Sequence, residues 1–219
     1  MKRLNPWSAA CSAAFIAAAS TAAAQPAAKS GPEVYTIDPY HTQPVFEWRH
    51  FDISNVRGRF DKTTGTITLD RAAKKASVVV TIAVDSLSTG VPLLDQRLKS
   101  SAFFDLEKYP TISFKADDFR FNGDKLTEVA GALTIHGVTK PVTLKILSAV
   151  CTEKRNPTMP LPACGADMEL TLKRSDYGVG YFVPLVSDEI VIRIGVEAIK
   201  GAEGVEGQFN NMGANRPAK

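Results

Sequence analysis

The stretch LTIHGVTKPVTLKI, residues 133–146, decides how the rest of the chain is read. Leu133 and Ile135 alternate with Thr134 and His136; Gly137 interrupts, and Val142, Leu144 and Ile146 resume the alternation against Thr143 and Lys145. A period of two gives each strand one apolar and one polar face, so the segment reads as two strands bent about a turn. His136, Gly137 and Pro141 are expected to build that turn, with His136 facing outward. If the pattern recurs, the question is what the apolar faces surround.

It does recur. Phe46, Trp48 and His50 alternate with Glu47 and Arg49; Gly65, Ile67 and Leu69 with Thr66 and Thr68; Val78, Val80, Ile82 and Val84 with Val79, Thr81 and Ala83. Further along come Ile112, Phe114 and Ala116, then Val129, Gly131, Leu133 and Ile135, then Ala166, Met168, Leu170 and Leu172, and last Ile190, Ile192, Ile194 and Val196. About eight strands with repeated turn signals and no regular βαβ alternation indicate an all-β antiparallel meander, closed as a barrel or folded as a sandwich. One segment departs: in VPLLDQRLKSSAFFD, Leu94, Leu98 and Ala102 have helical spacing, which predicts a short helix covering one end.

The termini read differently from the middle. Lys2 and Arg3, the alanine-rich run 9–19 and Ala22-Ala23-Ala24 have the layout of a secretory signal over 1–24, and the apolar run is too short to span a bilayer. Cys11 precedes most of that run, so lipidation is not expected. Residues 25–33 read as a flexible leader, 34–200 as the barrel and 201–219 as a disordered tail. Without Lys2 and Arg3, 24 basic residues face 23 acids, a balance that gives no field for nucleic acid or for a membrane surface by charge alone. Cys151 and Cys164 remain, separated by the loop-forming TEKRNPTMPLPA. In an oxidising compartment they are expected to form a disulfide, stabilising by roughly 3 kcal/mol in the chain-entropy model.

Catalytic and metal signals are weak. His41, His50 and His136 fit neither HExxH nor another close ligand pattern, so no metal site is expected. His41, in DPYHTQP, reads as fixing local backbone. Ser175 in KRSDYG has no signalled base; RSDYG reads as a strand-ending turn in which Asp176 satisfies backbone donors and Gly178 takes a positive φ. No catalytic residue and no catalytic cofactor is assigned.

YTIDPYHTQPVFEWRH (35–50), VRGRFDKTTGTI, DSLSTG, LKSSAFFDLEKYPTISF, GALTIHGVTKPVTL and KRSDYG, in this order, resemble the motifs of the YceI-like, polyisoprenoid-binding family across roughly residues 35–198. The resemblance implies a lipocalin-like barrel, exported to the periplasm, that encloses an isoprenoid or quinone-like lipid and has no known catalytic chemistry. Leu94-Asp95 and Arg97 depart from the family's usual run before the helix, which leaves headgroup preference open.

On that reading the ligand-binding wall comprises Phe46, Trp48, His50, Ile67, Leu69, Val80, Ile82, Phe104, Ile112, Phe114, Leu133, Ile135, Leu144, Ile146, Met168, Leu170, Ile192 and Ile194. Each is either a ligand contact or ordinary packed core, and for His50 the alternative is a hydrogen-bonded strand end. Phe103 and Phe104 are expected to split, one inward and one at a mouth.

Three functions follow: a lipid carrier, a packed interaction module with an apolar patch outside the barrel, or an enzyme on a lipid or quinone with His50 and a nearby acid as proton carriers. The carrier would need transient contact with a membrane or membrane protein for loading, with a gate near Leu94–Phe104. Whether the protein is a homodimer stays open.

Overall fold

The computed structural model describes residues 31–153 and 162–201. Residues 1–30, which hold the expected signal and most of the expected leader, the centre of the Cys151–Cys164 insertion and the residues beyond Gly201 lie outside the described residues. Eleven strands run through the rest: β1 (Glu33–Ile37), β2 (Val45–His50), β3 (Ser54–Phe60), β4 (Thr63–Asp70), β5 (Lys75–Ala83), β6 (Leu87–Ser88), β7 (Thr111–Asn122), β8 (Lys125–Ile135), β9 (Val138–Thr152), β10 (Ala163–Lys173) and β11 (Glu189–Lys200). Helix α1 (Pro92–Lys99) lies between β6 and β7.

Eight strands close an antiparallel barrel in the order β1, β4, β5, β7, β8, β9, β10, β11, with β11 returning to β1. β11 serves two partners, pairing with β1 through Ala198–Lys200 and with β2 through Val191–Arg193. β2 carries β3, and β3 carries the two-residue β6. The alternation in the sequence found β2 but not β1, the strand that closes the ring, because β1 is only five residues long and its Val34 faces solvent.

The inward phase does not hold along whole strands. In β7 the inward residues Ile112, Phe114 and Ala116 give way to Phe119 and Phe121, and the ladder to β8 slips between Ala116 and Asp118. A bulge at Asp117 therefore re-aims the distal half of the strand, so that a break in the sequence period keeps one apolar face continuous. β9 behaves likewise: its register with β10 shifts at Leu147, after which Ala149 and Cys151 follow Leu144 and Ile146 along the wall.

The hairpin predicted from residues 133–146 forms between β8 and β9 on two left-handed residues, His136 at φ 51° and Gly137 at φ 74°. That is the backbone of a tight two-residue turn. A Cβ at Gly137 would lie 2.4 Å from the Tyr109 ring, so space as well as φ demands glycine there. Pro141, expected in the turn, instead lies inside β9 opposite Ala132. It sits beyond Lys145, the last β9 residue with a β10 partner, where one side of the strand is unpaired and a proline is tolerated.

Helix α1 starts with Pro92 at its first position and buries Leu98. Asp95 accepts hydrogen bonds from Thr89 N and Thr89 Oγ1, both at 2.6 Å, which ties the helix to the segment before it. Ala102, the third residue of the expected stripe, falls beyond the helix end in the turns that follow.

Candidate functional site

The barrel encloses a cavity of about 1140 Å³, above the usual 300–1,000 Å³ of drug-sized ligand pockets. Its wall comes from every strand of the ring and from β2, β3 and α1, and aliphatic and aromatic side chains dominate it. The long axis runs from an end capped by α1 and residues 174–188 to an end rimmed by the β4–β5 and β7–β8 turns.

Four aromatic rings floor the capped end. Phe46 stacks on Trp48 at 5.6 Å and meets Phe60 at 5.3 Å, and Phe104 stands edge-on to Phe46 and Phe60 at 6.2 and 5.7 Å. Phe46 fits only because residue 58 on β3 is glycine: a Cβ there would lie 2.5 Å from Phe46 Cζ. Phe103 and Phe104 both line the cavity, rather than splitting between wall and mouth.

Beside the rings lies buried Arg174. Its guanidinium donates to four backbone carbonyls: Val179 at 2.5 Å, Tyr181 and Ser187 at 2.8 Å and Val186 at 2.9 Å. Burial pulls its pKa below the ordinary arginine value, opposed by the charge of Asp188. Asp188 in turn accepts Ser175 N at 2.8 Å and Ser175 Oγ at 2.7 Å. The KRSDYG motif is thus a loop anchor. Gly178 takes the expected positive φ of 76°, but Asp188 and not Asp176 satisfies the donors, while Asp176 faces Lys140 at 3.9 Å.

At the hairpin end the rim is mixed, with Arg71, Lys74, Lys75 and Lys125 beside Asp70 and Asp124. Cys151 and Cys164 sit directly opposite each other on β9 and β10 and form a disulfide. Glu33 ties β1 to the same end, bonding Lys200 Nζ at 2.6 Å and Arg71 Nε at 3.2 Å. Lys200 foremost, then Arg71, hold the Glu33 carboxyl down at about 2.

Seventeen of the eighteen residues expected on the wall line this cavity; His50 does not. β2 emerges from the barrel at its end, so His50 is exposed, bridges Val186 across the strands and packs its ring edge-on against Phe51 at 4.4 Å. His136 is half-buried under Tyr109, at 4.5 Å between ring centroids, rather than facing freely outward. His41 fixes local structure as expected, its Nδ1 2.7 Å from the buried Asp38 Oδ2, while Asp38 Oδ1 accepts Tyr40 N. The fold adds Glu197 to that pair, the three ligand atoms lying within 4.8 Å of one another, a cluster hidden in the sequence by separation. Asp38 raises the His41 pKa through this hydrogen bond.

Sequence reasoning missed Ile37 and Phe60, which lie on strands it did not recognise, and two further groups of wall residues. Phe119, Phe121 and Leu126 lie past bulges, where the period breaks. Arg174, Tyr177, Val179 and Val186 lie in or beside a loop that carries no period, and only the KRSDYG motif marked it.

The profile of the YceI-like domain matches residues 35–198. A UPF0312 protein of Pseudomonas paraeruginosa is 32% identical over 169 residues, covering 76% of this chain and 86% of its own length. Among solved structures, a YceI protein of Campylobacter jejuni superposes with a TM-score of 0.55 at 29% identity, covering 70% of this chain and 90% of that one. Two more distant structures share the fold: BcnA of Burkholderia cenocepacia (TM-score 0.62, 23% identity, 74% and 98% covered) and a polyisoprenoid-binding domain of Saccharophagus degradans (0.58, 16%, 76% and 98%).

Proposed function

The chain belongs to the YceI-like family, and on that premise we propose that it is a binding protein that carries a long apolar isoprenoid, polyprenyl or quinone-type, or a similar lipid inside its barrel. The observation that carries this reading is the 1140 Å³ cavity with its predominantly apolar lining. The Saccharophagus domain of the same fold is a polyisoprenoid-binding one, which supports the ligand class. A five-carbon prenyl unit buried there contributes roughly 3–4 kcal/mol gross, at about 0.8 kcal/mol per CH₂-sized group, before ordering and association costs. Several units reach tight binding without an ion pair.

This reading is one of sequestration; the placement of His50, considered together with a nearby acid as a proton carrier for a cavity ligand, outside the cavity supports it over the enzyme alternative. The N-terminal segment supports export to the periplasm, where a lipid chain needs shelter from water. Native mass spectrometry of protein purified from that compartment, followed by solvent extraction, tests the proposal. A stoichiometric adduct that extracts as a prenyl lipid is the expected result; protein that carries nothing and takes up neither polyprenols nor quinones would overturn it.

A further inference from the structure

The capped end carries an apolar surface that neither core nor cavity uses. Ile53 is 80% exposed and Leu185 56%, and Phe51, Tyr181, Phe182 and Val183 are exposed with them. None of the six lines the cavity. The two loops that carry them form one unit: Phe51 N donates to Leu185 O at 3.0 Å, His50 bridges Val186, and the Tyr181 and Phe182 rings lie 4.3 Å apart.

Folding does not explain this surface. Phe51, Asp52 and Phe182 hold φ of 49°, 53° and 65°, the left-handed region where a turn ordinarily places Gly or Asn. Phe51 and Phe182 bear that backbone strain while leaving 46% and 44% of their surface open to solvent. Strain of this kind gathers where a surface is used, and a contiguous apolar patch marks an interaction site.

We propose that these two loops dock the protein on the interfacial zone of a phospholipid bilayer. Arg97 lies 5.7 Å from the Tyr181 centroid and Arg49 bonds the Asp52 carbonyl between Phe51 and Ile53, and aromatic residues beside arginine suit the headgroup level with its anionic lipids. Weighted by exposure, the six side chains present roughly 500–600 Å². A contiguous apolar patch of that size marks an interaction site, and its aromatic rings beside an arginine favour a headgroup layer over a second copy as the occupant. The patch also adjoins the cavity wall, since Phe103 lines the cavity and meets Tyr181 edge-on at 5.7 Å. A role for the contact in loading rests on the carrier reading; the docking itself does not.

The test is partition of the purified protein onto vesicles of phosphatidylethanolamine and phosphatidylglycerol, alongside uptake of polyprenol delivered in detergent. The variant Phe51→Ser/Ile53→Ser/Phe182→Ser/Leu185→Ser is expected to lose at least tenfold in partition while keeping detergent-delivered uptake. Val34→Ser/Val79→Ser, changed at two other exposed apolar sites, should partition like wild type. Should the fourfold variant not fold, Ile53→Ser alone carries the test with a smaller loss. Equal partition of wild type and variant, or none by wild type, overturns the proposal. So does a concentration-dependent dimer that the substitutions abolish without any vesicle binding. Loss of partition in a protein that never takes up polyprenol leaves the docking standing and removes the carrier reading instead.

Discussion

At the capped end one guanidinium holds four loop carbonyls and four aromatic rings fill the floor, whereas at the hairpin end a disulfide and a Glu33 ion cluster join strand ends around a rim. The first end is built from interactions that each depend on the others. Remove Arg174 and the carbonyls of residues 179–187 lose their donor together, because this loop has no strand partner along most of its length. The second end is held by links between strands that are already paired in register. The cap is therefore cooperative and the rim modular.

The comparison is broken most directly at Arg174. Arg174→Met is expected to destabilise by on the order of 3–5 kcal/mol, since buried acceptors are left without their charged donor. Urea unfolding measures it, and a loss under about 1 kcal/mol would show that the loop is held by its apolar contacts instead. The rim's counterpart is Cys151→Ala/Cys164→Ala. Opening a bridge across a sequence separation of 13 should cost about 3 kcal/mol in the chain-entropy model while leaving the cavity's capped end unchanged. Retained uptake of an apolar fluorescent probe by the reduced protein would sharpen the modular reading; loss of uptake before unfolding would break it.

A smaller effect is expected at Gly58→Ala, where the new methyl group enters the space of Phe46. Overpacking of this kind costs about 1–3 kcal/mol. If the cap is cooperative, the Trp48 fluorescence should shift as well, because the stacked Phe46 ring cannot move alone. An unchanged spectrum with lowered stability would place the strain in β3 and not in the aromatic floor.

The two ends also differ in how far the sequence exposes them. Period-two alternation locates the middle of the wall because Ile67, Val80, Phe114, Leu144 and Ile192 obey it. It fails at the hairpin end, where bulges at Asp117 and Leu147 reverse the phase and hide Phe119 and Phe121. It fails at the cap for a different reason: Arg174 acts through backbone carbonyls, and any sequence supplies those. His50 shows the converse error, since alternation extended one residue past the point where β2 leaves the barrel. The Asp38–His41–Glu197 cluster was beyond reach because it needs β1 and β11 to meet, and β1 was itself missed.

That meeting of β1 and β11 gives two effects with opposite signs in pH, the one at His41 the smallest. Glu33 is held at about 2, below its ordinary value of 4.5, so the folded protein binds its proton less tightly than the unfolded chain. Its stabilisation is present above 4.5 and is lost as pH falls towards 2. His41 is raised above 6.5 by Asp38, so its contribution is full below 6.5 and disappears as pH rises through the raised value. His41 is about half exposed, which limits the effect to a few tenths of a kcal/mol, up to about 1. Thermal midpoints measured across pH should therefore decline on both flanks, with Glu33→Gln flattening the acid limb and His41→Asn the limb above 6.5. If His41→Asn flattens the acid limb as well, the seam and the rim are one coupled unit, and the modular account of the hairpin end fails.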